Sequence, residues 1–147
     1  MRTGALTLSA VLLGATAIGS GPARAADPAA DAAQGYTLEA SAAPATLKVG
    51  ESGKVAVVIK PKATWHVHPQ APLKVRFTAP AGLKVDRPEL GRKDVADPKA
   101  EAPRYETTFL ATAAGAQRVE ANVDFFICSD TACVKQVRTL PIAVTVK

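Results

Sequence analysis

Apolar and polar residues alternate in short runs along most of this chain, and residues typical of turns separate the runs. Leu73–Ala79 alternates in this way throughout, which is typical of a strand buried on one face. Lys54–Lys60 is instead β-branched and apolar, which favours a buried strand that ends at Pro61. Gln117–Cys128 and Val134–Lys147 are two longer segments of strand composition.

The same criteria predict further short strands at Tyr36–Ala40, Thr46–Val49, Trp65–His68, Leu83–Val85 and Tyr105–Ala111. A proline within the last strand, Pro141, predicts an edge position or a bulge there. Longer segments with a helical period and end caps are absent from the sequence. The chain is therefore predicted to be all-β, as an immunoglobulin-like β-sandwich of about eight short strands.

The start of the chain has the features of an export signal. Arg2 provides a positive charge, Ala5–Ile18 is apolar, and Ala23–Ala25 matches the small-x-small pattern of a cleavage site. We therefore predict a secretory signal peptide over residues 1–25, a flexible leader over 26–35 and a single domain over 36–147. The expected location is the periplasm or the exterior of the cell.

Charge and composition exclude several classes of function. Removal of Arg2 and Arg24 with the signal lowers the formal net charge from +5 to +3, and the charges are interspersed. The sequence has neither a basic run nor aromatic residues in the number that nucleic-acid binding requires. The mature chain has no methionine, which argues against a copper site with an axial Met ligand.

The two cysteines of the chain, Cys128 and Cys133, are separated by four residues at the predicted tip of a hairpin. This spacing allows a disulfide across the hairpin, and export to an oxidising compartment favours one. Closing so short a loop stabilises the fold by only about 2 kcal/mol. Three interpretations stay open, namely a structural disulfide, an exchanging disulfide and a pair of metal ligands. Asp130 would oppose formation of a thiolate, and Lys135 would favour it.

The segment Trp65–His68 is the second candidate. In a strand, His66 and His68 point to the same face, and with two thiols they would form a copper or zinc site. The alternative is that both histidines are ordinary residues at a strand end. Trp65 points to the opposite face and is predicted to lie in the core.

The segment Pro88–Pro103 has three prolines, charges of both signs and almost no apolar residue. It is predicted to be a long loop, and long loops in compact domains are usually functional or mobile.

Taken together, these motifs resemble the amino-terminal periplasmic domain of the thiol:disulfide interchange protein DsbD family. The resemblance implies an immunoglobulin-like sandwich in which Cys128 and Cys133 are the redox pair. It also implies that Trp65–His68 is the aromatic strand beside the cysteines and that Asp94–Arg104 is a loop that caps them. Trp65, His66, His68, Asp130 and Lys135 are then possible supporting residues.

The function implied by this resemblance is the relay of electrons through the cysteine pair, as one component of a protein-disulfide reductase system. The implied partners are a thioredoxin-like periplasmic oxidoreductase and a membrane thiol reductase, which would be a separate protein because the sequence ends at Lys147. No cofactor is expected. Two alternatives remain: a non-enzymatic binding module with an inert disulfide, and a periplasmic copper or zinc protein that uses His66, His68, Cys128 and Cys133.

Overall fold

The computed structural model describes residues 27–147, so the predicted signal peptide lies outside the described residues. A short helix, α1 (Pro28–Gln34), precedes the strands. The strands in chain order are β1 (Tyr36–Ala43), β2 (Thr46–Leu47), β3 (Ser52–Pro61), β4 (His66–Val67), β5 (Lys74–Thr78), β6 (Leu83–Val85), β7 (Glu89–Gly91), β8 (Arg104–Ala111), β9 (Gly115–Cys128) and β10 (Cys133–Val146).

Helix α1 occupies most of the stretch that the sequence predicted to be a flexible leader. The side chain of Asp27 caps it by accepting a hydrogen bond from the backbone N–H of Ala29 at 3.0 Å, and Pro28 follows at the first helical position. Ala32 is fully buried against the domain. The leader therefore has a local cap and an apolar anchor, and the seven-residue helix is too short to show a helical period in the sequence.

The strands form two packed sheets, which confirms the predicted immunoglobulin-like sandwich. The first sheet has the order β1-β3-β8-β6, and the second has the order β2-β10-β9-β5-β7. Strand β4 also pairs with β9, beyond the end of β5. The short β2 changes sheet and pairs in parallel with the end of β10. These orders match the A-B-E-D and G-F-C sheets of immunoglobulin domains.

The core fills the space between the sheets, where alternate residues of each strand point inward. Tyr105, Phe109 and Phe125 are the largest buried side chains, and β-branched residues of β3, β5, β9 and β10 surround them. Tyr36 packs edge-on against Phe125 with ring centroids 5.0 Å apart. Its hydroxyl donates to Oε1 of the buried Gln136 at 2.9 Å, and burial raises the pKa of Tyr36.

The hairpin of β9 and β10 is the longest pairing in the domain, with Cys133 opposite Cys128 at one end and Val146 opposite Gly115 at the other. Pro141 lies within β10 opposite Glu120 and causes no break in the register. Strand β2 pairs only with Thr145 and Val146 of β10, so β10 is an edge strand at Pro141. Of the two predicted alternatives, an edge position and a bulge, the structure shows the edge position.

The outer face of the second sheet is polar and is held by ion pairs between neighbouring strands. Glu89 on β7 contacts Lys74 at 3.2 Å and Arg76 at 3.0 Å, both on β5. The hydrogen bonds from Arg76 and Lys74 lower the pKa of the Glu89 carboxyl. Nearer the tip of the hairpin, Lys135 contacts Asp124 at 2.9 Å. In the described part of the chain, no helix is long and apolar enough to cross a membrane.

Candidate functional site

The two cysteines form a disulfide at the tip of the β9–β10 hairpin. Cys128 and Cys133 are directly opposite each other, with Cα atoms 4.1 Å apart and sulfur atoms 2.08 Å apart. The N–H of Ser129 donates to the carbonyl of Ala132 at 2.8 Å and closes the loop between them. This bond makes the cysteines a non-hydrogen-bonded pair, the position in which the side chains of opposite residues lie closest.

The two halves of the disulfide differ in exposure. Cys128 is only 1 % exposed, whereas Cys133 is an exposed residue. The topology explains the difference. Strand β9 is central at this point, with β4 on one side and β10 on the other, but β10 is an edge strand here. A molecule that approaches the edge of the sheet therefore meets Cys133 first.

His68 is the predicted site residue that the fold brings to the sulfurs. One of its ring nitrogens lies within 4.8 Å of both sulfur atoms. Its Nδ1 accepts hydrogen bonds from the backbone N–H of Gln70 at 3.1 Å and of Ala71 at 2.8 Å. A nitrogen that accepts two N–H groups has no proton of its own, so the ring proton belongs to Nε2.

His66 takes a different position, although it shares a strand face with His68. Its backbone is opposite that of Cys128, and its side chain is exposed. Within residues 27–147, the group of potential metal ligands at the disulfide consists of His68 and the two cysteines, without His66. The four-residue copper or zinc set suggested by the sequence therefore does not assemble.

Trp65 lies at the margin of the core rather than within it, which differs from the position predicted by the sequence. It is partly buried, and its indole packs on Gly35 at the end of α1. A Cβ atom at Gly35 would lie only 2.5 Å from the ring. The absence of a side chain at Gly35 is what allows this contact, so α1 and the strand that leads to His68 depend on each other.

The structure places the two charged residues predicted near the thiols on the surface. Asp130 is exposed in the loop of the hairpin. Lys135 lies on the outer face, where its ammonium group is paired with Asp124. Because its charge is already partly neutralised, Lys135 is a weaker source of thiolate stabilisation than the sequence suggested.

The segment predicted to be a long loop, Pro88–Pro103, contains β7 and a 3-10 turn at Arg92–Asp94 before it becomes irregular. It does not lie over the disulfide. Most residues of the range 92–103, together with Trp65, His66, Val67 and Tyr105, line a cleft of about 620 Å³ beside β4, which we call the β4 cleft. The segment Asp94–Arg104, which was predicted to cap the cysteines, therefore contributes to a wall of this cleft, and Cys133 is exposed.

Arg92 is a site residue that the sequence analysis missed. Its guanidinium group donates from both Nε, at 2.9 Å, and Nη2 to the carbonyl of Ala71. The N–H of the same residue, Ala71, binds Nδ1 of His68. No spacing in the sequence could have indicated this contact, because Arg92 and Ala71 are 21 residues apart and meet only through the pairing of β5 with β7.

No family model matches the chain, and no curated protein matches it. A conjugative transposon lipoprotein from Bacteroides eggerthii has a similar solved structure, with 13 % identity and a TM-score of 0.42, over 75 % of this chain and 96 % of that one. A conjugate transposon protein from Bacteroides vulgatus has 12 % identity and a TM-score of 0.42, over 75 % and 83 % of the two chains.

A third similar structure is the PapD-like domain 7 of human CEP192, with 7 % identity and a TM-score of 0.41, over 91 % of this chain and 98 % of that domain. These comparisons correct the predicted family: the assignment to the DsbD family is wrong, because the structural neighbours are other proteins and neither a family model nor a curated protein supports it.

The physical reason for this error is the low information content of the motif. Two cysteines four residues apart before a final strand are what any hairpin with a cross-strand disulfide produces, whatever its ancestry. The further resemblance depended on a loop that caps the cysteines, and the corresponding segment lines the β4 cleft instead.

Proposed function

We propose that this chain is a thiol:disulfide exchange domain of the cell envelope or exterior, in which the pair Cys128–Cys133 alternates between disulfide and dithiol. The unequal exposure of the two sulfurs is the main support for the proposal. Exposure of one sulfur contributes nothing to a purely structural disulfide. Exchange, in contrast, requires that a partner thiolate approaches one sulfur along the axis of the S–S bond.

The proposed reaction begins with a partner that has a dithiol. One partner thiolate attacks Sγ of Cys133 and forms an intermolecular disulfide, and the bond between Cys133 and Cys128 breaks. The electron pair of that bond passes to Sγ of Cys128, which leaves as a thiolate. The second partner thiolate then attacks the intermolecular disulfide and releases Cys133. The partner becomes a disulfide, and this domain gains two electrons and, at equilibrium, two protons.

The partner class that fits this chemistry is a small dithiol protein of thioredoxin fold, with a separate membrane thiol reductase as the ultimate source of electrons. The exposed edge of β10 beside Cys133 is open to such a protein. No cofactor takes part, because thiols and disulfides exchange electrons directly.

The test is equilibration of the oxidised domain with a reduced thioredoxin-fold protein over a series of glutathione redox buffers. We expect complete exchange and a reduction potential above about −300 mV, the limit below which structural disulfides are typically found. Cys133→Ser and Cys128→Ser should both abolish turnover. Mixed instead with the oxidised partner, Cys128→Ser should form an intermolecular disulfide through Cys133, because its single thiolate attacks the partner disulfide and releases one partner thiolate. A domain that stays oxidised throughout the series has a structural disulfide, and the proposal is then wrong.

The β4 cleft favours a second candidate, a module that binds extended peptide segments. Val67 lies between His66, which is paired with Cys128, and His68, whose N–H donates to the carbonyl of Phe126. The N–H and C=O groups of Val67 therefore point away from β9, and Val67 lines the cleft. An extended chain could pair with this edge and place apolar side chains against Trp65 and Tyr105.

This alternative is tested with a fluorescently labelled, reduced and alkylated unfolded polypeptide. Saturable binding that is lost in Val67→Pro, with normal circular dichroism, and retained when both cysteines are replaced by serine would support a binding module. Absence of binding by the wild type would exclude it.

A further inference from the structure

We propose that His68 is the hydrogen-bond donor that stabilises the thiolate released from the disulfide, and that Arg92 is the positioning residue that orients it. This inference rests on the proposed exchange function, since exchange is the reaction in which that thiolate is the leaving group. It assigns the imidazole a donor role and denies it the role of metal ligand. Three contacts connect Arg92 to the sulfur atoms through one turn of the chain.

The first contact fixes the tautomer of His68. Nδ1 accepts from the N–H groups of Gln70 and Ala71, so the ring proton is on Nε2. Among the described residues, the hydrogen bonds of the His68 ring are those at Nδ1, so Nε2–H is left without an acceptor there. A neutral imidazole of this tautomer stabilises an anion that forms in front of Nε2, and a thiolate is a much better acceptor than a disulfide sulfur.

The second contact places the imidazole at the disulfide. One ring nitrogen of His68 lies within 4.8 Å of both sulfur atoms. Nδ1 is taken by the N–H groups of Gln70 and Ala71, so Nε2 is the nitrogen left to donate to a thiolate at the sulfurs.

The third contact explains why the turn after His68 keeps its shape. Arg92 donates two hydrogen bonds to the carbonyl of Ala71, the residue whose N–H binds Nδ1. Hydrogen bonds from a charged group to one carbonyl are strong and directional. They hold Ala71 in place, and Ala71 holds the imidazole. The wall of the β4 cleft is in this way connected to the disulfide, so a ligand in the cleft that displaces Arg92 would also release His68.

Other charged groups near the sulfurs are poor substitutes for His68. His66 shares the strand face but is not part of the cluster at the sulfurs. Asp130 in the hairpin loop disfavours a thiolate, and Lys135 on β10 is paired with Asp124 on β9. Arg92 directs two of its hydrogen bonds to the carbonyl of Ala71. Of these side chains, His68 is the one that the structure places at the sulfurs.

The metal alternative conflicts with the same contacts. For Nε2 to bind a metal ion, the ring proton would have to move to Nδ1, where it would face the N–H groups of Gln70 and Ala71. Metal binding would thus break two hydrogen bonds and create a clash of donors. Ligating histidines normally show the opposite arrangement, with the second nitrogen donating to a carbonyl or carboxylate.

The experiment measures the thiolate content of the reduced domain by its absorbance at 240 nm as a function of pH, together with the rate of alkylation by iodoacetamide. We expect His68→Phe to lower the thiolate fraction at neutral pH about tenfold, because it removes a charge-assisted hydrogen bond. Arg92→Gln should lower it a few-fold, because His68 stays present but loses its fixed orientation. His66→Phe is the matched control, with the same substitution on the same strand face, and should leave the thiolate fraction unchanged.

Rescue separates a specific role from damage to the fold. His68→Gln keeps an N–H donor at a comparable distance and should recover part of the thiolate fraction lost in His68→Phe. Equal thiolate fractions in the wild type, His68→Phe and His66→Phe would overturn the inference. Titration of the reduced wild type with Zn²⁺ or Cu⁺ is the second arm. Tight binding of one ion that requires His68 would also overturn it, since the imidazole would then be a ligand.

The two proposals fail in different ways. The thiolate measurement uses the chemically reduced domain and needs no partner, so it gives a result whether or not exchange occurs. A wild-type disulfide that resists thioredoxin-fold dithiols would contradict the proposed function. An unchanged thiolate fraction in His68→Phe, in a domain that does exchange, would contradict only the role of His68.

Discussion

Replacement of Cys128 or Cys133 by serine should lower the free energy of unfolding by different amounts, because only residue 128 is buried. Cys128→Ser and Cys133→Ser remove the same cross-link, and with it about 2 kcal/mol of stabilisation from the closed loop. They place the new hydroxyl in different surroundings. Residue 133 is exposed, so its hydroxyl meets water, whereas residue 128 is only 1 % exposed. A buried hydroxyl without a partner costs about a further 1–3 kcal/mol.

The free energy of unfolding should therefore fall by about 2 kcal/mol in Cys133→Ser and by about 3–5 kcal/mol in Cys128→Ser. Urea titrations followed by far-ultraviolet circular dichroism measure both values, and they are repeated with an excess of reductant. Under reducing conditions the wild type also lacks the cross-link, so the difference that remains isolates the hydroxyl. Cys133→Ser should then match the wild type, and Cys128→Ser should stay about 1–3 kcal/mol less stable. Equal midpoints for the two variants under reducing conditions would refute the difference in burial on which the order of attack depends.

Three further predictions concern the surroundings of the site. Tyr36→Phe should destabilise the domain by about 1 kcal/mol, measured in the same titration, because it removes the hydroxyl bonded to Gln136; no loss would mean that this bond has no net value. Gly35→Ala should displace the single tryptophan, Trp65, since the new Cβ would lie 2.5 Å from its ring, and unchanged emission and stability would contradict that packing. The pKa of Glu89 is lowered by its bonds to the basic residues of β5, so its contribution to stability is present above pH 4.5 and is lost as the pH falls through the folded pKa. Glu89→Gln should therefore be less stable than the wild type near neutral pH and equal to it in acid.

The sequence was sufficient for the sandwich because the alternation of apolar residues is local information. Strands with this pattern, such as β5 and β9, appear where the pattern places them. The pairing of the two cysteines also follows from local geometry, since four residues form a hairpin loop. Helix α1 could not be predicted, because its seven residues are fixed by one cap and by the burial of Ala32, which is a tertiary contact.

The difference between the two histidines was likewise beyond the reach of the sequence. The two-residue period of a strand places His66 and His68 on one face, but it does not show which of them lies near the sulfurs. His68 is distinguished from His66 by the turn that follows it, in which the N–H of Ala71 donates to the imidazole. Arg92, 21 residues further along the chain, stabilises that turn by donating to the carbonyl of Ala71. The family assignment failed for a related reason, since a short cysteine motif reports a hairpin and says nothing about ancestry.

The disulfide lies at the end of the long β9–β10 pairing, and this position has a consequence for electron transfer. The two strands that it joins pair over 14 residues, so their backbones stay in register when the sulfurs separate. The oxidised and reduced forms should then present nearly the same surface. A partner that binds both with equal free energy cannot favour either one. If the domain exchanges disulfides as proposed, the difference in reduction potential between the two proteins sets the direction of electron flow, and transfer is reversible.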